Sequence, residues 1–264
     1  MIRVKDERLR WAEAKLKEAQ RVAVRYFNRA LKVERKADRS PVTIADRSVE
    51  EYLRRELSRA FPDDVIVGEE FGSNTSVRGD TFWTIDPIDG TRAFTKGLPF
   101  WGMLLGRVEA GRPVLGACLY PMLQIFLGVA PKTPPHEHSE GRRLLLRRAA
   151  TPPALSDSTL LHGGIRWWLG TPYERGFCRL MQSCFLERAY GDCYAYLWVL
   201  RGRADAKLEY GVKIWDIAPF AALARATGRV MTDFSGRSNF TGPESILAHP
   251  TMVRRIVRIL KRNT

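Results

Sequence analysis

A chain of 264 residues, 45% hydrophobic and 27% charged, has the profile of a globular protein able to bury one large core or two coupled halves. Its 43 Lys+Arg against 29 Asp+Glu leave a net charge of +14, which makes nucleic acid and anionic ligands the first partners to weigh. No apolar window reaches membrane-spanning length, and residues 1–10 are charged rather than apolar, so neither a membrane span nor a secretory leader is expected and the cytoplasm is the expected compartment.

Leu9, Ala12, Leu16, Ala19, Ala23 and Phe27 recur at helical spacing and predict a long amphipathic first helix. After a loop over residues 37–41, Thr43-Ile44-Ala45-Asp46 has the form of a capping box. It should open a second helix with Val49, Tyr52, Leu53 and Leu57 on one face. From Val65 to Ala130 the pattern becomes short apolar runs between turns: Val65–Val67, Phe82–Ile85, Trp101–Val108, Val114–Tyr120 and Ile125–Val129. Glu109-Ala110-Gly111-Arg112 is a hairpin connection, so its flanking strands should be antiparallel. Pro131 to Arg148, rich in Pro, His and Arg, reads as a solvated loop carrying His136 and His138, and a boundary is expected within residues 131–152. Helices are then expected over Tyr173–Phe185, Cys193–Leu200 and Ile217–Ala226, the last stopped by Gly228. Two helices, a mostly antiparallel sheet and a mixed second half make an α+β layered protein.

The basic runs lie in the first helix, in Arg142–Arg148 and in Arg254–Arg262. No nucleic-acid motif accompanies them, and Val253, Ile256 and Leu260 share one helical face with the charges largely elsewhere. The runs therefore read as solvated faces rather than a nucleic-acid surface. Cys118, Cys178, Cys184 and Cys193 form no CxxC pair or zinc-ligand spacing and are read as reduced core thiols.

Chemistry concentrates in carboxylates. Asp86-Pro87-Ile88-Asp89-Gly90-Thr91 follows the apolar strand Phe82–Ile85. Two acids three residues apart can converge from a rigid turn, with the Ile88 carbonyl as a further oxygen, which suits a hard divalent cation. Gly90 and Thr91 then expose backbone N–H groups at the start of a short helical turn, a cradle for phosphate oxygens. Taken alone the segment fits a type I turn equally well. Gly68-Glu69-Glu70 places further acids after another apolar strand, and Trp215-Asp216 puts one at the start of a helix, where a capping or dipole role would also serve. Three acidic sites, each at the end of an apolar element, can build one multi-metal pocket.

In their order and spacing, Gly68-Glu69-Glu70, Trp83 to Thr91 and Trp215-Asp216, with the earlier Pro41 to Asp46, resemble the inositol-monophosphatase superfamily of metal-dependent, lithium-sensitive phosphatases. The resemblance runs from about Lys36 to the C-terminal helix. It implies a layered α-β-α-β-α sandwich of the inositol-monophosphatase and fructose-bisphosphatase type. Residues 1–147 would form the half carrying most metal ligands, and residues 148–264 the half with Asp216 and the substrate-selecting residues. It further implies a homodimer, and two or three Mg²⁺ held by Glu69, Asp86, the Ile88 carbonyl, Asp89 and Asp216. Glu69, Thr91 and Asp46 are the implied catalytic residues, with Lys36 nearby. Gly90 and Thr91 would hold the phosphate while Glu69 and the Thr91 hydroxyl orient and deprotonate a water.

Within the superfamily, Gly191-Asp192-Cys193-Tyr194-Ala195-Tyr196 stands where inositol-specific members usually carry a small hydroxyl residue and alanine. With Gly90-Thr91-Arg92-Ala93-Phe94 it resembles the histidinol-phosphate phosphatase branch, which acts in histidine biosynthesis. Asp192 and Glu209 would face the leaving group, and two acids there suit a cationic substrate better than neutral inositol. Asp192 also fits a helix N-cap before Cys193. The reading is L-histidinol phosphate, with inositol monophosphate as the alternative and a nucleotide 3′-phosphate third. The non-enzymatic alternative is a basic nucleic-acid-binding protein on a phosphatase fold, recognisable by salt-sensitive binding without turnover. Pro131–Arg148 and Leu160–Trp168 depart from the family pattern.

Overall fold

The computed structural model describes residues 4–29, 32–35, 41–73 and 81–261. Lys36 and most of the expected 37–41 loop lie outside the described residues. The chain divides into two compact units, Met1–Leu145 and Leu146–Thr264, with seven α-helices and fifteen strands among the described residues.

The first unit opens with α1 (Glu7–Tyr26), capped by Asp6, whose carboxylate accepts the Leu9 N–H at 3.2 Å. Leu9, Ala12, Leu16, Ala19 and Ala23 are fully buried along one stripe, as their spacing predicts. A ribbon of β1 (Glu34–Arg35) and β2 (Pro41–Val42) leads to α2 (Ile44–Ala60), whose N-terminus is the expected capping box. The chain then lays down β3 (Val65–Gly68), β4 (Gly72–Ser73), β5 (Phe82–Asp89), a single helical turn α3 (Thr91–Phe94), β6 (Gly102–Glu109), β7 (Arg112–Tyr120), β8 (Ile125–Ala130), β9 (Thr133–Ser139) and β10 (Arg142–Leu145). Eight of these strands form one sheet in the order β10-β9-β8-β7-β6-β5-β3-β4, antiparallel except where β3 runs parallel to β5. Ala110 (φ 47°) and Gly111 (φ 69°) make the tight β6–β7 hairpin, because two left-handed residues match the twist of the flanking strands. Helices α1 and α2 bury their stripes against Ile66, Trp83, Ile85, Met103, Leu105 and Phe126 on one face of the sheet. Each large side chain buried there contributes roughly 1.5–3 kcal/mol.

Two expectations are corrected here. Pro131–Arg148 is not a solvated loop: β9 and β10 extend the sheet, and His136 is fully buried. Pairing of β8 with β9 slips between Gly128↔His136 and Ala130↔Thr133. Pro134 and Pro135 occupy that bulge, where a residue without an N–H costs the ladder little. The cysteines are all unbridged, but only Cys118 and Cys193 are buried, while Cys178 on the outer face of its helix is exposed.

The second unit contains β11 (Thr159–His162), α4 (Glu174–Gln182), β12 (Leu186–Arg188), α5 (Asp192–Leu200), β13 (Ala206–Tyr210), α6 (Ile214–Ala226), β14 (Val230–Thr232), β15 (Glu244–Ala248) and α7 (Pro250–Leu260). Its sheet order is β12-β11-β13-β15-β14. Alternation along β13 places Ala206 and Leu208 in a cluster with Phe177, Leu180, Met252 and Ile256 of α4 and α7. Trp168 belongs to this cluster, stacked between Phe177 at 4.2 Å and Phe234 at 5.1 Å. Lys207 and Glu209 therefore point to the other face, where Lys207 lies over the Tyr196 ring of α5. Gly228 (φ 71°) follows the C-cap of α6, as expected of a helix stop. No helix among the described residues is long and apolar enough to cross a membrane.

Candidate active site

Strand β5 does not stop at Ile85 with a turn after it, as the sequence suggested: Asp86 to Asp89 are its last four residues. Asp86 pairs with Leu104 and Asp89 with Gly102, a one-residue slip that bulges the strand around Pro87. Proline supplies no ladder hydrogen bond, so the bulge forms there. Asp86 and Asp89 consequently present carboxylate oxygens within 4.8 Å of one another while only 1% and 9% exposed. Gly90 then adopts φ 93° as the N-cap of α3, a conformation that a side chain would strain. Its carbonyl accepts the first intrahelical bond, from Phe94 at 3.0 Å.

Thr91, the first residue of α3, is 9% exposed. Its hydroxyl lies 3.1 Å from the Ile88 carbonyl and 3.2 Å from Asp46 Oδ1, and donates its one proton between them. Asp46 is fully buried at the third position of α2. Its other oxygen accepts the Thr43 N–H at 2.7 Å and the Thr43 hydroxyl at 2.6 Å. Burial pushes the Asp46 carboxyl up to about 6 despite the Thr43 and Thr91 hydrogen bonds, and the nearby Glu69 charge adds to the rise. The capping role and the site role thus fall on different oxygens of one carboxylate.

Glu69 follows β3, its N–H bonded to the Ile85 carbonyl at 3.2 Å. A residue that pattern reading missed anchors this turn. Glu50 of α2 is fully buried and accepts the Glu70 N–H at 2.7 Å and the Phe71 N–H at 3.2 Å. Arg54 pairs with it at 2.7 Å. A Cβ at Gly68 would sit 2.0 Å from Glu50 Oε1, so glycine there lets the carboxylate reach the turn.

The first unit therefore brings Asp86 and Asp89 within 4.8 Å of one another and joins Asp46 and the Ile88 carbonyl through the Thr91 hydroxyl, with Glu69 near enough for its charge to act on Asp46. Its donor set is all oxygen, mostly anionic and largely withdrawn from water, which fits a hard divalent cation such as Mg²⁺ and offers nothing to a soft metal.

The other expected residues belong to the second unit. Asp216 is the third residue of α6, and one of its oxygens accepts the Lys213 N–H at 2.6 Å. Asp192 is not the N-cap of α5; Gly191 takes that place, and Asp192 is the first helical residue with φ 56°. Glu209 is 8% exposed and carries a partner absent from the sequence reading, the fully buried Lys207, whose ammonium lies 2.7 Å from it. Local sequence gave no sign of Lys207, because only the strand alternation of β13 puts it beside Glu209.

The family profile described as "Inositol monophosphatase family" matches residues 5–263. The chain is 35% identical over 225 residues to a histidinol-phosphatase of Streptomyces coelicolor, covering 81% of this chain and 80% of that protein. It is 31% identical over 237 residues to a histidinol-phosphatase of Mycobacterium tuberculosis, covering 88% and 91%. Among solved structures, an inositol monophosphatase from Zymomonas mobilis superposes with a TM-score of 0.83 at 28% identity, over 98% of this chain and 100% of that one. Matched over nearly its whole length in sequence and in fold, the chain belongs to the inositol monophosphatase family and is a phosphoric monoester hydrolase.

Proposed function

We propose that this enzyme hydrolyses a small phosphate monoester with Mg²⁺, and that the ester is L-histidinol phosphate, which would place it in histidine biosynthesis. The observation that carries the reaction is the buried oxygen cluster of Asp86, Asp89 and the Ile88 carbonyl beside the Asp46–Thr91 hydrogen bond. Glu69, Asp86, the Ile88 carbonyl and Asp89 would hold two or three Mg²⁺, with Asp216 as the remaining ligand that the family motif implies. When bound, such ions neutralise phosphate oxygens, lower the pKa of a water and stabilise the leaving alkoxide.

The chain's own residues do the rest. The Gly90 and Thr91 N–H groups precede the first intrahelical donor and hold phosphate oxygens. Glu69 orients the attacking water. With the Ile88 carbonyl engaged as a metal ligand, the Thr91 proton would go to Asp46 Oδ1, and its hydroxyl oxygen would present a lone pair to that water. A proton leaving the water for Thr91 Oγ1 is matched by one passing from Thr91 to Asp46 Oδ1. No histidine or cysteine nucleophile enters this scheme.

For the substrate, the histidinol-phosphatase relatives and the acids at Asp192 and Glu209 support an ester with a cationic end. Inositol monophosphate is the alternative, since the family is named for it. The test is phosphate release from L-histidinol phosphate, inositol-1-phosphate and a nucleotide 3′-phosphate, each with and without Mg²⁺. Higher kcat/KM on histidinol phosphate, lost on chelation, is expected. Faster turnover of inositol-1-phosphate would overturn the substrate, and turnover surviving full chelation would overturn the mechanism. The homodimer implied by the family resemblance belongs to the same proposal, and sedimentation of the purified protein tests it.

A further inference from the structure

We propose that Lys207 is a selectivity-setting residue: its buried ammonium joins Glu209 to the Tyr190–Asp192 segment, so that the two acids expected to meet the leaving group are held as one preorganised unit. This rests on the reading that Asp192 and Glu209 face the substrate.

Lys207 has a side chain 0% exposed, and a cation so placed must be paired. Its ammonium makes the 2.7 Å ion pair with Glu209 Oε2 and reaches the Tyr190 carbonyl at 3.4 Å. It also stands 5.5 Å from the centre of the Tyr196 ring, a cation–π distance. Tyr196 is itself fixed by its hydroxyl on Ser245 at 2.8 Å. On the far side, a Cβ at Gly163 would lie 2.5 Å from Glu209 Oε1, so the carboxylate is pressed against the Gly163 backbone. Glu209 is therefore held from two sides in one orientation.

The same ammonium contacts the carbonyl of Tyr190, two positions before Asp192, whose φ of 56° is a left-handed conformation that aspartate adopts more readily than most residues. One buried cation thus ties together both selecting acids. Lys207 offsets the Glu209 charge within the site. Glu209 then acts as an oriented acceptor, which discriminates among leaving groups by geometry rather than by bulk attraction.

The experiment measures kcat and KM of Lys207→Met, Lys207→Arg and Lys207→Met/Glu209→Gln with Mg²⁺. The substrates are L-histidinol phosphate, inositol-1-phosphate and p-nitrophenyl phosphate. In Lys207→Met the ratio of kcat/KM for histidinol phosphate over p-nitrophenyl phosphate should fall about tenfold, KM carrying most of the change. Lys207→Arg should keep most of the ratio. The double variant removes the buried charge without stranding an acid. It keeps the test open if the single variant does not fold: with Glu209→Gln measured alongside, a Lys207 that acts through Glu209 gives the double variant and Glu209→Gln the same lost discrimination. Equal losses on all three substrates, or an unchanged ratio in the double variant, would overturn the proposal. A wild-type preference for inositol-1-phosphate would instead overturn the substrate assignment, and Lys207 would still be judged by whether the ratios move.

Discussion

Glu50 stands one helical turn beyond Asp46 on α2 and accepts the backbone N–H of Glu70 at 2.7 Å. One helix therefore governs two arms of the site: Asp46 receives the Thr91 hydroxyl at 3.2 Å, and Glu50 fixes the turn that carries Glu69. Replacing Glu50 by Gln keeps the shape but sets an amide N–H₂ against backbone donors and leaves Arg54 without its ion pair. The Mg²⁺ concentration for half-maximal activity should rise about tenfold, the low end for residues that orient metal ligands. Titrating activity against Mg²⁺ in wild type and Glu50→Gln checks this. An unchanged half-saturation would show that the Glu69 turn is held by other contacts.

The reach of the sequence follows from which signals are local. The stripe from Leu9 to Ala23 and the capping box at Thr43–Asp46 were legible because each is written within a few residues at one period. Asp86 and Asp89, whose carboxylates lie within 4.8 Å of one another, were legible as a pair through one motif attached to an apolar run. Glu50 was not, because beside Glu51, Arg54 and Arg55 it reads as one more solvated i,i+4 partner. Only the packing of α2 beside β3 brings the Glu70 N–H to it. Lys207 was missed for another reason: no strand was expected over Ala206–Tyr210, and only on a strand do Lys207 and Glu209 share a face. β9 was misread because Pro134 and Pro135 normally forbid a strand interior, and only the pairing slip beside Gly128 tolerates them.

Asp89→Asn removes one anionic oxygen from the buried pair with Asp86 while preserving size. Turnover should fall by at least about a hundredfold, as expected when a first ligand of a catalytic metal loses its charge. The protein should remain folded, because two carboxylates within 4.8 Å repel one another when no cation is bound. Thermal unfolding in a chelator should therefore show Asp89→Asn at least as stable as wild type, and added Mg²⁺ should raise the midpoint of wild type more than that of the variant. Equal Mg²⁺ stabilisation of the two would separate Asp89 from metal binding.

Glu13 gives the first unit an acid-sensitive joint. Its carboxylate, 5% exposed, bonds Lys17 at 2.7 Å, His138 at 2.6 Å and Arg143 at 2.8 Å, tying α1 to β9 and β10. Burial alone would raise it, but these three partners more than offset that and bring the carboxyl down from 4.5 to about 2. A depressed acid stabilises the fold above its unfolded value, so this contribution is complete above about pH 4.5 and is lost as pH falls toward 2. Allowing for solvent screening, it is on the order of 2 kcal/mol. Urea unfolding from pH 6 to pH 3 should show a shallower acid decline in Glu13→Gln than in wild type. Parallel curves would place the acid sensitivity elsewhere.

Asp192 separates stability from selectivity. At φ 56° a non-glycine residue pays roughly 1–2 kcal/mol per residue for the left-handed backbone, and glycine does not. Asp192→Gly should thus be as stable as wild type or more so, whereas Asp192→Thr, with a β-branched side chain in the same conformation, should be less stable. Both variants remove the carboxylate, and both should lose preference for L-histidinol phosphate over inositol-1-phosphate by a similar factor, about tenfold. Measuring unfolding midpoints and the two kcat/KM values on the same preparations tests the two effects together. If Asp192→Gly were more stable and equally selective, the carboxylate would have no part in substrate choice. If Asp192→Thr alone shifted the preference toward inositol-1-phosphate while Asp192→Gly kept it, the threonine hydroxyl rather than the lost carboxylate would be what the substrate reads.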